Sequence, residues 1–207
     1  QQLMLKIFQD LQMYDEPKFT IAGDQAILVE LGSKIDPAVN KQVHSLKQVV
    51  LGRSIPGLRD IVPTYTSLLV QYDPVEVSLE ELKGIIIDSF GNLHEHSADS
   101  DRVVLLPTMY GGEHGPDLEF ISEQTSMNKE DVITIHSSID YLVYMIGFTP
   151  GFPYLGGLDE RLATPRLETP RITIPSGTVG IAENQTGVYP TESPGGWRLI
   201  GRTPLDL

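Results

Sequence analysis

Residues 147–207 read GFTPGFPYLGGLDERLATPRLETPRITIPSGTVGIAENQTGVYPTESPGGWRLIGRTPLDL. This stretch of the chain holds 8 of its 15 prolines and 10 of its 19 glycines, so turns recur every few residues. Between them stand short strand-forming runs, ITIP, TVGIA and WRLIG. Short strands punctuated this closely predict a small β-barrel, which the segment beginning near residue 102 enters.

Upstream of the barrel lies DLEFISEQTSMNKEDVITIH, residues 117–136, whose spacing predicts two short helices. Such a pair has the outline of a helix-turn-helix. However, Asp117, Glu119, Glu123, Glu130 and Asp131 face Lys129 alone, and that charge repels phosphates. The pair is therefore expected to cover the barrel. Further back, GNLHEHSADSD, residues 91–101, is polar and aperiodic and reads as a linker. His94 and His96 lack a third nearby ligand there, so no metal site is expected.

Residues 18–90 predict an α+β domain, a small antiparallel sheet with two helices on one face. Ala26–Leu31 is an apolar strand. Asp36 and Pro37 open a helix carrying Val39, Val43, Leu46 and Val50 on one face. Ile61–Tyr72 is strand-forming but broken by Pro63, giving two short strands or one bulged strand. Ser78 and Glu81 form a capping box for a helix bearing Leu82, Ile85, Ile86 and Phe90. LMLKIFQDLQMY, residues 3–14, has a helical period. The domain organisation predicted is thus 18–90, a linker at 91–101, and a barrel at 102–207.

The chain of 207 residues carries a formal net charge of −13 and no cysteine. Binding to nucleic acid or to an anionic membrane surface is excluded by that charge balance, which leaves too few cations to displace phosphate counterions. Cysteine-held metals and disulfides are excluded outright. No apolar run is long enough to span a bilayer and no signal-peptide pattern opens the sequence, so the expected location is cytoplasmic.

Lysine disappears after Lys129, while Arg161, Arg166, Arg171, Arg198 and Arg202 remain. The guanidinium fork suits carboxylate or phosphate, and several of these arginines flank stiff proline turns. The alternative is surface pairing with Glu168, Glu192 and Asp206. His136, between the strand-like run ITI and two serines, is either a buried structural histidine or an acid, base or anion ligand. In GFTPGFPYLGGLD, residues 147–159, Phe148, Phe152 and Tyr154 are mounted among Gly147, Pro150, Gly151, Pro153, Gly156 and Gly157. Aromatic rings on a rigid turn predict a contact surface. The phosphate-loop pattern GxxxxGK[ST], GxGxxG and a GxSxG elbow are all absent, and Ser176 acquires no acid–base partner from spacing.

The stretch HSSIDYLVYMIGFTPGFPYLGGLDERLATPRLETPRITIPSGTVGIAENQTGVYPTESPGGWRLIGRTPL, with GDQAILVELGSKIDPAVN and PGLRDIVPTYTSLLVQYDP before it, closely resembles the family of 5-oxoprolinase B subunits. That family includes the Kip-type sensor-kinase inhibitors and the first half of carboxyltransferase modules in allophanate hydrolase and urea carboxylase. The resemblance spans roughly residues 18–207. It implies that the second domain is a cyclophilin-like barrel, and that the chain stops short of the family's final strands. Carried onto this sequence, it marks His136, Phe148, Gly151, Tyr154, Arg166, Arg171, Gln185, Glu192 and Arg198 as the functional face. His136, Arg166, Arg171 and Glu192 become candidate catalytic groups, and Phe148, Gly151, Phe152, Tyr154, Gln185 and Arg198 candidate substrate- or partner-binding groups.

The favoured implication is an ATP-dependent complex that opens 5-oxo-L-proline to L-glutamate, with this chain inactive alone. Its partners would be the C-type subunit, which is carboxyltransferase-like, and the A-type subunit, which is of the lactam-utilisation kind. ATP, with Mg, would be bound by or shared with the complex, and the chain itself would hold no metal. The second implication is an inhibitor that grips a sensor histidine kinase; the third is an allophanate-hydrolase- or urea-carboxylase-like carboxyltransferase component.

Overall fold

The computed structural model describes residues 13–93 and 102–207. The chain divides into two compact units, Gln1–Asp101 and Arg102–Leu207. In the first, β1 (Met13–Ile21), β2 (Ala26–Gly32), α1 (Pro37–Leu51), β3 (Leu58–Pro63), β4 (Ser67–Tyr72) and α2 (Leu79–Gly91) follow one another. The strands form one antiparallel sheet in the order β1-β2-β4-β3.

Alternation along β2 turns Ile27, Val29 and Leu31 to one face, where all three are fully buried. Val39, Val43, Leu46 and Val50 of α1 and Leu82 and Ile86 of α2 join them in a single core, against which Ile85 and Phe90 pack partly buried. Each such side chain contributes about 1.5–3 kcal/mol by leaving water. Asp36 starts α1 by accepting a 2.7 Å hydrogen bond from Ala38 N. Ser78 starts α2 by accepting one from Glu81 N at 3.2 Å.

Three local expectations change. Ile61–Tyr72 resolves into the β3–β4 hairpin, with Pro63 ending an edge strand where no ladder donor is missed. Met13 and Tyr14 belong to β1, not to a helix, and the unit's sheet begins before residue 18; the rest of the stretch expected to be helical lies outside the described residues. β1 escapes a hydropathy reading because it is an edge strand whose Asp15, Glu16 and Lys18 face solvent. Helix α2 also continues through Gly91, so the segment read as linker begins helical; His94 and His96 lie outside the described residues.

The second unit contains β5 (Met109–Tyr110), α3 (Leu118–Thr125), α4 (Lys129–Ser137), β6 (Leu142–Ile146), β7 (Pro153–Gly156), β8 (Arg171–Ile174), β9 (Thr178–Ala182), β10 (Gln185–Val188), β11 (Ser193–Gly195) and β12 (Arg198–Arg202). Six strands pair in the order β5-β12-β9-β10-β7-β6, and β8 pairs with β11 as a separate ribbon. Among the described residues this pairing is an open series with β5 and β6 at its ends. The unit is thus mixed α/β with a sheet-rich body.

Helices α3 and α4 occupy the segment expected to form a helix pair, and Ile133–Ile135, which read as strand-like, are helical. Asn128 caps α4, accepting from Asp131 N at 2.7 Å, and so commits the β-branched run to the helix. Leu118, Ile121 and Val132 pack with Val179, Ile181, Val188 and Ile200 on one face of the sheet. The opposite face carries Phe152, Ala182, Tyr189, Trp197 and Leu199.

In the first unit, buried Asn40 ties α1 to the β3–β4 turn by donating to Thr64 O at 3.1 Å and Tyr65 O at 3.2 Å. Asn40→Leu strips both carbonyls of their donor. Urea unfolding of the chain is expected to show a loss of about 1–3 kcal/mol.

Candidate functional site

The sheet itself sorts the candidate residues. Successive residues of β10 point to opposite faces, Thr186 toward the helices and Gly187 toward the aromatic face. A Cβ on Gly187 would lie 2.9 Å from Phe152 Cζ and 3.0 Å from Trp197 Cζ3, so the rings close on the strand only because glycine stands there.

On the helix side, His136 is buried in α4. Its Nδ1 lies 2.8 Å from Tyr110 Oη and its Nε2 lies 2.9 Å from Thr186 Oγ1. Thr186 gives its single hydroxyl proton to Gly180 O at 3.0 Å, so Nε2–H donates to Thr186 and Nδ1 accepts from Tyr110. Burial pushes the imidazole down to about 4 and the Tyr110 phenol up to about 12. His136 is therefore neutral, with both nitrogens spent within the chain.

On the other face, Phe152 is the centre of a ring cluster and is itself 1% exposed. Its centroid lies 5.6 Å from Phe148, 5.0 Å from Tyr154, 5.1 Å from Tyr189 and 5.4 Å from Trp197, edge to face in every case. Of the rings expected to be displayed, Phe152 is thus core and Tyr154 half-buried. Phe148 is displayed, 59% exposed at φ 63°, and Gly151 takes φ 87° on the same loop against Pro190. Trp197 and Tyr189 complete the cluster, and motif reading passes over both. A signal for one of them exists: Trp197 is the single tryptophan and follows two glycines.

The five arginines now separate. Arg161 is bidentate on Asp159. Arg171 pairs with Asp117 at 2.8 Å and donates to Trp197 O at 3.3 Å. Arg198 donates to Pro165 O at 3.3 Å and lies 3.7 Å over the Phe120 ring. Arg202 donates to Ser176 O at 2.7 Å. Arg166 alone among them has no hydrogen bond or ion pair among the described residues, and its guanidinium lies 6.0 Å from the Trp197 ring centroid. Glu168, Glu192 and Asp206, the expected surface partners, pair with none of the five.

Burial pushes the Tyr189 hydroxyl up to about 12, opposed by the backbone hydrogen bond with Trp197 and by the charges of Arg166 and Arg171. Both guanidiniums therefore act on the same corner of the cluster. Two buried hydroxyls there, Thr149 Oγ1 beside Phe148 and Ser193 Oγ on β11, have no partner among the described residues. Gln185 is half-buried at the start of β10, and Glu192 is exposed in the turn before β11. The arrangement offers an exposed cation from Arg166 and an exposed ring from Phe148, which suit a small anion with an apolar body, while Trp197 is 5% exposed and belongs to the buried cluster.

None of the four described α-helices begins without an acidic cap or first-turn residue. Phosphate favours a helix N-terminus free of negative charge. Asp36 caps α1, Glu80 and Glu81 stand in the first turn of α2, Glu119 in that of α3, and Glu130 and Asp131 in that of α4. No group of three or more metal-ligating side chains is assembled among the described residues. No described helix is long and apolar enough to cross a membrane.

Residues 17–207 match the family described as carboxyltransferase domain, subdomain C and D, and the chain belongs to that family. It is 43% identical over 195 residues to the B subunit of the 5-oxoprolinase of Bacillus subtilis (strain 168), an alignment covering 89% of this chain and 81% of that one. With the corresponding B subunit of Escherichia coli O157:H7 it shares 35% identity over 188 residues, covering 90% and 84%. The crystal structure of the protein TTHA0988 superimposes with a TM-score of 0.78 at 34% identity. That match covers 88% of this chain but only 36% of TTHA0988, so this chain spans about a third of its length.

His136 sets a pH dependence. Between its ordinary value of 6.5 and its folded value of about 4, the unfolded chain binds a proton that the folded chain refuses. Its contribution is complete above pH 6.5 and is lost as pH falls toward 4, on the order of 3 kcal/mol. Urea midpoints measured across that window should fall more steeply for the parent chain than for His136→Gln.

Proposed function

We propose that this chain is the B-type subunit of a multisubunit 5-oxoprolinase and that it contributes the surface holding the substrate carboxylate. The observation carrying this reading is Arg166, free of any internal anion and set beside Trp197. The substrate, 5-oxo-L-proline, is a flat lactam ring bearing one carboxylate. A guanidinium fork receives such a carboxylate bidentately, and the exposed Phe148 ring offers an apolar face to the lactam. Ring opening adds water across an unreactive amide and needs that amide activated. The carboxylates at every described helix N-terminus lead us to assign ATP, with its Mg, to the partner subunits. On the same reading, residues 102–207 are a cyclophilin-like barrel and residues 18–90 a separate domain joined through 91–101, in a cytoplasmic protein. The relatives named as subunits support the dependence on further chains, and the C-type and A-type subunits of such a complex are the partners proposed.

Within this reading Arg166 binds and orients, Phe148 excludes water, and neither His136 nor Arg171 meets substrate. His136 is on the other face of the sheet, and Arg171 is occupied by Asp117.

The isolated chain is expected to release no glutamate from 5-oxoproline and ATP, and activity is expected on adding the partner subunits. In that assembly Arg166→Lys keeps the charge and loses the fork. A bidentate charged contact is worth about 1.5–3 kcal/mol, so kcat/KM should fall about ten- to a hundredfold. The melting temperature should hold, because Arg166 supports no internal bond. Turnover by the chain alone would overturn the shared site; an unchanged kcat/KM in Arg166→Lys would overturn the arginine's role.

A further inference from the structure

We propose that Asp117 and Arg171 are a positioning pair that sets Trp197, and through it Arg166, in the geometry that receives the substrate carboxylate. The proposal rests on the carboxylate-binding reading above. Asp117 stands at the N-terminus of α3, yet its carboxylate makes no capping bond to that helix. One oxygen, Oδ1, takes Arg171 Nη2 at 2.8 Å; the other, Oδ2, takes Leu199 N at 2.6 Å. The Asp117 N–H in turn donates to Leu199 O at 2.9 Å. Arg171 passes the connection on, donating from Nη1 to Trp197 O at 3.3 Å.

From Trp197 the bonding continues to Arg166 on both sides of its backbone. Leu167 N donates to Gly196 O at 2.7 Å, and Arg198 Nε donates to Pro165 O at 3.3 Å. The turn Gly196–Trp197–Arg198 is thus held from behind by Asp117 and Arg171 and itself holds the loop Pro165–Arg166–Leu167. Arg166 is exposed and unpaired, so its placement follows from the backbone of its loop. That backbone is held on one side by the Thr164–Glu183 bridge and on the other, at one remove, by the buried carboxylate of Asp117 and the committed Arg171, neither of which touches substrate.

The test uses the chain assembled with its partner subunits. Trp197, the single tryptophan of this chain, gives a local readout on the purified chain. Asp117→Asn keeps the shape and removes the charge; Arg171→Lys keeps the charge and removes one of the two bonded nitrogens. Both are expected to raise KM for 5-oxoproline about tenfold with kcat within about twofold, and to shift Trp197 emission and its quenching by acrylamide. The matched amide pair Asp117→Asn with Arg171→Gln should recover part of the KM loss. Far-UV dichroism identifies any variant that fails to fold, and Arg171→Lys, the milder change, then carries the test. Unchanged Trp197 emission and unchanged KM in a folded variant overturn the positioning role, as does a loss of stability with KM unmoved. Arg166→Lys run alongside tells the two readings apart. A raised KM there with no effect of Asp117→Asn or Arg171→Lys overturns the pair alone; no effect of Arg166→Lys overturns the carboxylate site itself.

Discussion

The second unit depends on one carboxylate. Asp117 joins the start of α3, strand β8 through Arg171 and strand β12 through Leu199, three segments far apart in sequence. Its side chain is 10% exposed and that of Arg171 29%, so the pair is shielded well beyond a surface salt bridge. Removing Arg171 leaves the buried Asp117 carboxylate without its counterpart cation, which costs more than the pair itself is worth. A hydrophobic pair would hold the same segments with less specificity. Two oxygens with two different donors fix the helix against the strand in one register only.

That register decides where the rings go. With Leu199 held by Asp117 and Trp197 O by Arg171, the glycine turn ahead of β12 lays Trp197 against Phe152. Gly187 supplies the space from below, and the strand alternation that frees Gly187 commits Thr186 to the opposite face and to His136. The same six-stranded sheet therefore separates a polar anchor under the helices from a buried aromatic cluster on its far side. Residues that look equivalent as a motif, His136 and Arg166 among them, are divided by the thickness of a strand.

Much of this was legible in the linear chain. The two helical faces of the first unit follow from 3.6-residue periodicity, and Asp36, Pro37 and Ser78 mark their starts through backbone donors that need a cap. The helix pair at 118–137 was legible for the same reason. Strand β1 was not, because a charged edge strand is stabilised by ladder bonds to β2 and has little apolar alternation to reveal it. The run Ile133–Ile135 misled because β-branched residues favour strands weakly, while Asn128 and the burial of Val132 favour the helix more.

By itself, the sequence determined the acidic charge balance, the glycine- and proline-punctuated strands and the family to which the chain belongs. Each of these depends on residue type and on spacing along the chain. Which arginine is free was decided only by tertiary structure. Arg171 follows a proline just as Arg166 does, yet its partner Asp117 lies 54 residues away, and Arg198 and Arg202 donate to carbonyls 33 and 26 residues away. Pairing at such distances is set by strand register and by the face to which each residue turns, and neither is a property of the local sequence.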